Sequence, residues 1–322
     1  MTSPSITVII PTWNQSDLLR HCLEALRRQT VSPRVLVVDN GSVDSTPGVM
    51  AECFPDFGYL RLPRNEGFAV AVNRGIDSSD TELIALLNND TEADTRWVEQ
   101  GVKVLEQNPE CGIVASMILN YWERDRLDSA GDRYLRTGMP LKRGTGQPAS
   151  CYPSLEPVMG ASAGAAFYRR RLFDRIGLFD ERYYMYLEDV DLSLRAHLAG
   201  FDCLYAPAAI VYHMEAASDP HKPTARGAQP WVFYSDRRVY WITRNRWLLM
   251  LTYQPWQHGP WLAFGWMRSF LFHLLKAGHL KSFVKGLVAG ISASGHALTK
   301  RRILRQAERG RREDLWRLMR TS

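Results

Sequence analysis

Two hydrophobic periods alternate over the first 120 residues, and this alternation constrains the fold more than any other feature of the sequence. Runs of apolar, often β-branched residues predict buried strands at 6–10, 34–39, 59–62, 82–88 and 112–116. Segments with apolar residues at helical spacing separate the strands, at 16–29, up to about 51, at 66–78 and at 96–108. Strands that alternate with helices form right-handed βαβ units. The sequence therefore predicts an α/β protein with a mainly parallel sheet and helices on both faces.

Polar residues directly follow three of these strands. The clusters are Pro11-Thr12-Trp13-Asn14, Asp39-Asn40-Gly41-Ser42 and Asn88-Asn89-Asp90. In a parallel sheet, ligands bind beyond the carboxyl ends of the strands, so we expect the three clusters to meet at one edge. A tight turn is the alternative for each cluster taken alone, because Asn, Asp and Gly are common turn residues.

The middle of the chain is less regular. Gly and Pro throughout 121–157 predict hairpins or loops, and the small residues of 159–170 allow a backbone or a ligand to approach closely. A helix is predicted from Glu188 to Ala199, with Gly200 as its end. Residues 203–213 predict one or two strands that end at His213.

Positive charge is concentrated at one end of the chain. Residues 244–322 carry 15 Lys and Arg against 3 acidic residues, whereas residues 1–243 carry 25 against 31. A basic end on a mildly acidic body indicates an anionic partner, either phospholipid or nucleic acid. No recognised nucleic-acid module surrounds the basic end, so we expect no nucleic acid.

Cysteine usage and apolar segments bear on the cellular compartment. The five cysteines are odd in number and have no C-x-x-C spacing, which argues against a disulfide framework and a zinc site and favours a reducing cytoplasm. No basic and apolar leader precedes the first strand, so no signal peptide is predicted. The most apolar stretch, 261–275, is interrupted by Arg268 and His273 and is shorter than the roughly 20 residues of a membrane-spanning helix.

Six stretches carry a resemblance to a known family. They are VIIPTWN (8–14), VVDNGSVDST (37–46), RNEGFAVAVNRGI (64–76), LLNND (86–90), the segment 164–201 from GAAFYRRR to AHLAGF, and VYH (211–213). In order and spacing the chain resembles the inverting glycosyltransferases of family 2, and within it the bacterial rhamnosyltransferase-like and galactofuranosyltransferase-like members. The resemblance covers about residues 5–215. It implies a GT-A fold, a nucleotide-sugar donor and a divalent cation.

The resemblance also implies a donor site. It places Pro11, Thr12, Asp39 and Asn65 in the nucleoside pocket, where the Asp39 carboxylate can accept a hydrogen bond from the N–H of a uracil or thymine ring. The full set of expected donor-binding residues is Pro11, Thr12, Asn14, Asp39, Asn40, Asn65, Gly67, Asn73, Asn88 and Asn89. For Gly67 and Asn73, the alternative is that they only shape the loop.

The resemblance also implies a metal site at the carboxyl edge of the sheet. A hard, oxygen-bound Mg²⁺ or Mn²⁺ can neutralise a diphosphate leaving group. The family's aspartate-x-aspartate is Asn88-Asn89-Asp90 here: Asp90 holds the expected ligand position, and Asn88 removes one charge and weakens the site. His213 matches a further metal ligand of similar enzymes. A structural histidine at a strand end is the alternative.

The catalytic base is expected at the start of the helix that begins at Glu188. The run Glu188-Asp189-Val190-Asp191 matches the family's base motif, and we expect Asp189 to take the acceptor's proton while Glu188 orients the acceptor or the loop. Acidic residues also favour the first turn of a helix, and Asp191 with Arg195 has the spacing of an ordinary i,i+4 ion pair.

The run 160–166, with Gly164 and Ala165, is expected to form a wall of the acceptor pocket. A closely packed strand is the alternative for this run.

The predicted domain organisation is a GT-A catalytic domain over 1–225 and a helical, basic region over 226–322. Residues 1–120 would form the nucleotide-sugar half of the catalytic domain and 121–225 the acceptor half. Residues 244–290 mix Trp, Phe and Leu with Arg and Lys, as interfacial helices on anionic membranes do. A helical subdomain packed on the catalytic domain is an equal alternative, since one helix can serve both purposes.

These features predict an inverting, metal-dependent glycosyltransferase, peripheral at the cytoplasmic face of the cell membrane. It would move a sugar, with L-rhamnose as the leading candidate, from a dTDP- or UDP-sugar to a lipid-linked or polysaccharide acceptor in cell-envelope glycan synthesis. A sugar-nucleotide nucleotidyltransferase is one alternative, but it needs a Gly-rich basic loop where this chain has PTWNQSD. A non-catalytic membrane scaffold is the other, suggested by Asn88.

Overall fold

The computed structural model describes residues 6–214, 235–307 and 319. The strands are β1 (Ile6–Thr12), β2 (Arg34–Asp39), β3 (Gly58–Arg61), β4 (Leu83–Leu87), β5 (Thr91–Ala93), β6 (Cys111–Asn120), β7 (Leu127–Ser129), β8 (Asp132–Tyr134), β9 (Pro140–Lys142), β10 (Glu156–Pro157), β11 (Ala165–Arg169) and β12 (Asp202–His213). The α-helices are α1 (Ser16–Arg27), α2 (Thr46–Cys53), α3 (Phe68–Asp77), α4 (Trp97–Gln107), α5 (Arg170–Ile176), α6 (Glu188–Ala199), α7 (Asp236–Tyr253), α8 (Gly259–Phe272), α9 (Leu280–Ser292) and α10 (Ser294–Ala307).

One large sheet organises the first part of the chain. Its strand order is β10-β12-β6-β11-β4-β1-β2-β3, with β5 beside β12 and β7 beside β6. Strands β3, β2, β1 and β4 are parallel, and β12 is parallel to β6. Strand β11 lies antiparallel between β4 and β6. The sheet is thus mixed and mainly parallel, as the sequence predicts.

Helices cover both faces of this sheet. Along β1, Val8 and Ile10 belong to the apolar layer that contains residues of α1, whereas Ile9 belongs to the layer that contains residues of α3. This division follows from the alternation of side chains along a strand. The continuous apolar runs of β1 and β4 are therefore explained by burial on both faces of the sheet.

Strand β11 is the main element that the sequence does not predict as a strand. Its residues Ala165 and Ala166 pair with β4, and Ala166 also pairs with β6. Helix α4 can lie close to β11 because it presents Gly101: a Cβ atom there would lie 2.2 Å from the ring of Phe167. The run 160–166 therefore ends in a closely packed strand, which was the alternative expectation, because Ala165 and Ala166 belong to β11.

The described residues divide into two compact units. The first contains residues 6–132, 142–184 and 188–214, and the second contains 133–141, 185–187, 235–307 and 319. The predicted boundary near residue 225 lies in 215–234, outside the described residues, as do 1–5, 308–318 and 320–322, which include part of the basic tail.

The second unit is helical. Helix α7 packs against α9 and α10. Glycines permit the close contact with α9, since a Cβ atom on Gly286 would lie 2.4 Å from the Tyr240 carbonyl oxygen. Among the helices of the described residues, none combines the length and the apolar character that crossing a membrane requires.

Candidate active site

The three polar clusters meet at the carboxyl edge of the sheet. The Asn89 amide donates a hydrogen bond to the Thr12 hydroxyl (3.0 Å), which joins the end of β4 to the end of β1. The Asn40 backbone N–H donates to the Thr12 carbonyl (2.8 Å), which joins the end of β2 to the same point. Pro11 is buried in β1 directly before Thr12.

Asp39 lies at the base of the predicted nucleoside pocket. Its carboxylate is fully buried and accepts hydrogen bonds from the Ser42 backbone N–H (2.8 Å) and the Tyr59 hydroxyl (2.5 Å). The Arg61 guanidinium lies 3.5 Å from the same carboxylate. Burial and the neighbouring Asp39 raise the pKa of Tyr59, so this hydroxyl is a hydrogen-bond donor. The carboxylate at the end of β2 is thus already held by three protein groups.

Tyr59 and Arg61 were not among the predicted site residues. Both come from β3, where alternate residues lie on one face, and Arg61 pairs in register with Asp39. Tyr59 and Arg61 are two residues apart in β3, the strand next to β2, which ends at Asp39. This spacing of two could have identified them from the sequence.

Several predicted donor residues hold a loop. The Asn40 amide donates to the Gly67 carbonyl (3.0 Å) and to Asn65 Oδ1 (3.2 Å), and its oxygen accepts from the Glu66 backbone N–H (2.8 Å). Gly67 has φ of 97°, and a Cβ atom there would lie 2.6 Å from the ring of Tyr184. The structure thus places Asn40, Asn65 and Gly67 in contacts that shape residues 65–67.

Asn14 and Asn73 also make contacts within the protein. The Asn14 side-chain oxygen accepts from the Val43 backbone N–H (3.0 Å). The Asn73 amide donates to the Phe179 carbonyl (2.9 Å) and to Glu181 (3.1 Å), and its oxygen accepts from the Phe179 backbone N–H (3.0 Å). Buried Asn73 therefore ties α3 to the segment before α6, and its predicted role in donor binding stays a prediction.

Asp90 and His213 lie together at the other end of the site. Nε2 of His213, the last residue of β12, lies 3.3 Å from Asp90 Oδ2. The other oxygen, Asp90 Oδ1, is buried and has no hydrogen-bond partner among the described residues. Burial lowers the pKa of His213, but the charges of Asp90 and Asp128 outweigh this effect and raise it to about 10. The predicted pair of metal ligands is therefore brought together around an unsatisfied carboxylate oxygen.

Asp128 and Lys142 complete this cluster and were missed from the sequence. Asp128 accepts from His213 Nδ1 (2.8 Å), and Lys142 Nζ lies 2.7 Å from both carboxylate oxygens. Burial raises the pKa of Asp128, but Lys142 and His213 outweigh this and lower it. Both residues fall in the irregular segment 121–157, where no motif marks them.

A pocket with an empty volume of about 220 Å³ lies beside this cluster. Its lining includes Asn88, Asp128, Lys142, Ser162, Gly164 and His213. The predicted donor residue Asn88 and the predicted acceptor residue Gly164 therefore share one wall.

The residues at this end fit a divalent cation in part. In the chain as described, no group of three or more His, Cys, Asp or Glu side chains is arranged to hold a metal ion. Asp90 and His213 alone are two ligands of suitable type, and the buried, unpaired Asp90 Oδ1 leaves a donor position open. Mg²⁺ and similar ions are commonly held by one or two carboxylates together with substrate phosphates and water. The residues thus fit a cation that is completed by a diphosphate.

Asp189 is anchored at the start of α6. It accepts hydrogen bonds from the Val190 backbone N–H (2.8 Å) and the Ala163 backbone N–H (3.1 Å). The next residue, Gly164, accepts through its carbonyl from the Asn88 backbone N–H (2.9 Å). Consecutive residues of one segment, Ala163 and Gly164, therefore contact the predicted base and the end of β4. Asp189 and the end of β4 are thus neighbours.

The carboxyl groups around Asp189 have raised pKa values. Burial raises the pKa of Asp189. Glu188 is buried, and its Oε2 has no hydrogen-bond partner in the part of the chain that the structure describes. Burial together with Asp189 raises the pKa of Glu188 well above the usual range. Asp132, also missed from the sequence, is buried too, and burial together with Asp189 raises its pKa to about 8. A group of carboxyl groups with raised pKa values is a frequent property of acid–base sites.

One predicted ion pair and one backbone feature complete this segment. Asp191 is fully buried and forms the i,i+4 ion pair with Arg195 at 2.9 Å, as its spacing predicts. Tyr184, Tyr186 and Leu187 all have φ between 61° and 69°. Strained backbone of this kind clusters at functional sites.

Comparisons with known proteins identify the family of the chain. The family model for glycosyl transferase family 2 matches residues 7–177. The chain is 28% identical over 276 residues to an N-acetylglucosaminyl-diphospho-decaprenol L-rhamnosyltransferase of Mycobacterium tuberculosis. The match covers 76% of this chain and 89% of that protein. It is also 28% identical to the O-antigen biosynthesis protein RfbC of Myxococcus xanthus, over 67% of this chain and 18% of that protein.

A solved structure supports the fold. A mannosyltransferase from Pyrobaculum calidifontis, determined in complex with GDP-Man and Mn²⁺, aligns with 99% of this chain and 86% of its own. The TM-score is 0.54 and the sequence identity 19%, so the likeness concerns the fold alone. The predicted GT-A fold, with its mixed sheet and flanking helices, is confirmed.

Proposed function

Because the chain belongs to glycosyl transferase family 2 and is a glycosyltransferase, we propose that it transfers a sugar with inversion from a dTDP- or UDP-sugar to a lipid-linked or polysaccharide acceptor of the cell envelope. L-Rhamnose is the leading candidate for the sugar, since a rhamnosyltransferase is among the relatives that align over most of both chains. The family match does not favour the nucleotidyltransferase or the scaffold.

The observation that carries this proposal is the link through Ala163 and Gly164. Asp189 is held by the backbone of Ala163, and the end of β4 is held by the backbone of Gly164. An inverting transfer needs a base on one side of the anomeric carbon and a stabilised leaving group on the other. Two anchored groups joined by consecutive residues support such an arrangement.

In the proposed reaction Asp189 accepts the proton of the acceptor hydroxyl as its oxygen forms a bond to the anomeric carbon. The bond between that carbon and the diphosphate oxygen breaks, and its electron pair leaves with the diphosphate. The backbone donors on Asp189 hold the carboxylate while its remaining lone pairs accept the proton. Glu188, with an unpaired oxygen in the same helix turn, orients the acceptor.

On the leaving-group side, Asp90 and His213 would hold a divalent cation, which when bound neutralises negative charge on the diphosphate. The distance of 3.3 Å between His213 Nε2 and Asp90 Oδ2 supports this assignment, as does the buried Asp90 Oδ1, which has no hydrogen-bond partner among the described residues. Asn88 lines the adjacent pocket and contributes an amide where the family pattern has a carboxylate. Asp39, Thr12 and the 65–67 loop would bind the nucleoside.

The test is a thermal-shift screen of UDP-, dTDP- and GDP-sugars with and without Mn²⁺, followed by a transfer assay with the donor that stabilises most. We expect stabilisation by a pyrimidine nucleotide-sugar and a further increase with Mn²⁺. Stabilisation by GDP-sugars alone would overturn the pyrimidine assignment. Transfer with retention of anomeric configuration, determined by NMR, would overturn the inverting mechanism.

The proposal includes peripheral binding at the cytoplasmic face of an anionic membrane, through the second unit. Helix α8 exposes Trp261, Phe264, Met267, Phe270 and Leu271, and α9 exposes Val284, Val288 and Ile291. Exposed apolar surface of this extent marks interaction sites. Residues 235–307 also contain 12 Lys and Arg but one acidic residue. Apolar and basic residues together match an anionic lipid surface, which supplies both acyl chains and negative charge.

Vesicle co-sedimentation tests this part. The protein should bind phosphatidylglycerol vesicles more strongly than phosphatidylcholine vesicles, and salt should weaken the difference. Replacing both Phe264→Ser and Leu271→Ser should lower partitioning about 10-fold or more, because two apolar side chains no longer enter the bilayer. The control is Trp122→Ser, which changes an exposed aromatic residue of the first unit. Equal binding of the double variant and the wild type would contradict the assignment.

A further inference from the structure

The His213 ring is held on both of its nitrogen atoms. Nδ1 lies 2.8 Å from Asp128 Oδ2, and Nε2 lies 3.3 Å from Asp90 Oδ2. A carboxylate on Nδ1 keeps the ring proton on that atom when the ring is neutral, which leaves the Nε2 lone pair directed toward Asp90. The orientation of the ring is therefore determined by Asp128.

Asp128 is itself fixed from two directions. Lys142 Nζ lies 2.7 Å from each of its carboxylate oxygens. Its strand, β7, pairs with β6, and β6 pairs with β12, which ends at His213. The carboxylate is only 4% exposed on its side chain, so it has no freedom to leave the histidine for water. Adjacent strands and one ammonium group thus hold Asp128 against the ring.

We infer that Asp128 is a positioning residue for His213, held in place by Lys142, and that it orients Nε2 toward the cation position beside Asp90. The inference rests on the proposed function, since His213 acts there as a cation ligand. Carboxylates that bind the second nitrogen of a metal-ligating histidine fix its tautomer and orientation, and their loss lowers metal affinity about 10–100-fold.

Asp128 also bears on the unusual Asn88. Both residues line the same pocket, together with Lys142 and His213. Asn88 is neutral where the family pattern has a carboxylate, and Asp128 is a buried carboxylate contributed by a different strand. Because the Lys142 ammonium neutralises Asp128, this carboxylate does not replace the charge missing at Asn88, and we expect it to act on the cation position through His213.

The alternative is that Asp128 and Lys142 form only a structural ion pair. A purely structural pair would lower the thermal stability of the protein when it is broken, but it would leave the Mn²⁺ affinity of the folded protein unchanged. The two readings therefore differ in a measurable property that does not depend on turnover.

The experiment measures Mn²⁺ binding to the full chain in the presence of UDP or dTDP, from the electron paramagnetic resonance signal of free Mn²⁺. Wild type, Asp128→Asn and Asp128→Ala are compared. We expect Asp128→Ala to weaken binding about 10–100-fold. Asp128→Asn should have a smaller effect, because the amide oxygen still accepts the Nδ1 proton although the charge is lost.

Glu92→Gln is the matched control. Glu92 forms a carboxylate–histidine pair of the same kind with His21, at 2.8 Å, and it pairs in register with Tyr212 rather than with His213. Removing its charge should leave Mn²⁺ affinity unchanged.

A spectroscopic readout supports the distinction. Electron spin echo measurements on bound Mn²⁺ should show coupling to an imidazole nitrogen in the wild type and a reduced coupling in Asp128→Ala. Wild-type protein that binds no Mn²⁺ with either nucleotide would overturn the cation site of the proposed function, and this inference with it. Wild type and both folded Asp128 variants binding Mn²⁺ equally would overturn this inference alone.

Discussion

The two ends of the candidate site differ in how their polar groups are satisfied. At the nucleoside end, Asp39 and Asn73 make several hydrogen bonds to other parts of the protein. At the carboxylate end, Asp90 Oδ1 and Glu188 Oε2 are buried and have no hydrogen-bond partner within residues 6–214, 235–307 and 319. Leaving a buried polar atom unpaired costs about 1–3 kcal/mol. Such a cost indicates atoms that are reserved for a ligand, whereas the satisfied groups maintain loop shape.

This difference divides the predicted residues into two groups with different expected roles. The motif residues were all selected by the same resemblance, but the structure separates those whose side chains are committed to the protein from those whose side chains are not. Substitutions at the carboxylate end should therefore affect chemistry and cation binding, and substitutions at the nucleoside end should affect stability first. The following predictions test that contrast.

The largest effect is expected for Asp189→Asn. The amide cannot take the acceptor's proton, so kcat should fall about 10²–10⁴-fold, the usual contribution of a general base. Donor affinity, measured by calorimetry, should stay within about twofold. Asp174→Asn, at an exposed position of α5, is the control and should retain full activity. Full transfer by Asp189→Asn would place the base elsewhere.

A smaller but still large effect is expected for Asp90→Ala. Removing the carboxylate with the unpaired oxygen should abolish the increase in melting temperature that Mn²⁺ adds to the nucleotide complex. Transfer should fall about 10²-fold, since a cation supplies several kcal/mol of charge stabilisation. An unchanged Mn²⁺ response would mean that the buried oxygen serves another purpose.

Asn73→Ala should affect stability more than binding. The substitution leaves the Phe179 N–H and carbonyl without their partner, so the free energy of unfolding should fall by about 1–3 kcal/mol in denaturant titrations. Asn108→Ala, which removes one hydrogen bond to Val104 at the end of α4, should lose about 0.5–1 kcal/mol. If Asn73→Ala lowers donor affinity and leaves stability unchanged, this expectation is contradicted and the predicted role of Asn73 in donor binding is supported.

A change in the pH dependence of stability is expected at Asp132. Burial and Asp189 raise its pKa from the ordinary 3.8 to about 8. Between these values the folded protein keeps a proton that the unfolded chain releases, so this group lowers stability as pH rises. Asp132→Asn cannot ionise, and its advantage in melting temperature should grow from pH 4 to pH 8. An advantage that is constant with pH would contradict the raised pKa.

Much of the fold could be predicted because its signals are local. Strand β2 and helix α6 have the predicted bounds, Arg34–Asp39 and Glu188–Ala199, and Gly200, with φ of 91°, follows the helix as expected. Strand β11 was harder, because its small residues do not alternate and its partners β4 and β6 are distant in sequence.

The site could be predicted only where a motif marks it. Asp90, His213 and Asp189 lie in recognisable stretches, and the structure places the first two 3.3 Å apart. Asp128 and Lys142 lie on three-residue strands of an irregular segment, and only tertiary pairing brings them to His213. Sequence pattern indicates which residues suit the chemistry, but it does not reveal the groups that hold them in place.

The most direct test of the central claim is the position of Mn²⁺ in crystals grown with UDP or dTDP, located by anomalous diffraction. The claim predicts a peak within about 2.0–2.6 Å of both Asp90 Oδ1 and His213 Nε2, with the diphosphate completing the coordination. A peak bound to other residues, or nucleotide density at full occupancy with no Mn²⁺ peak near Asp90, would contradict it.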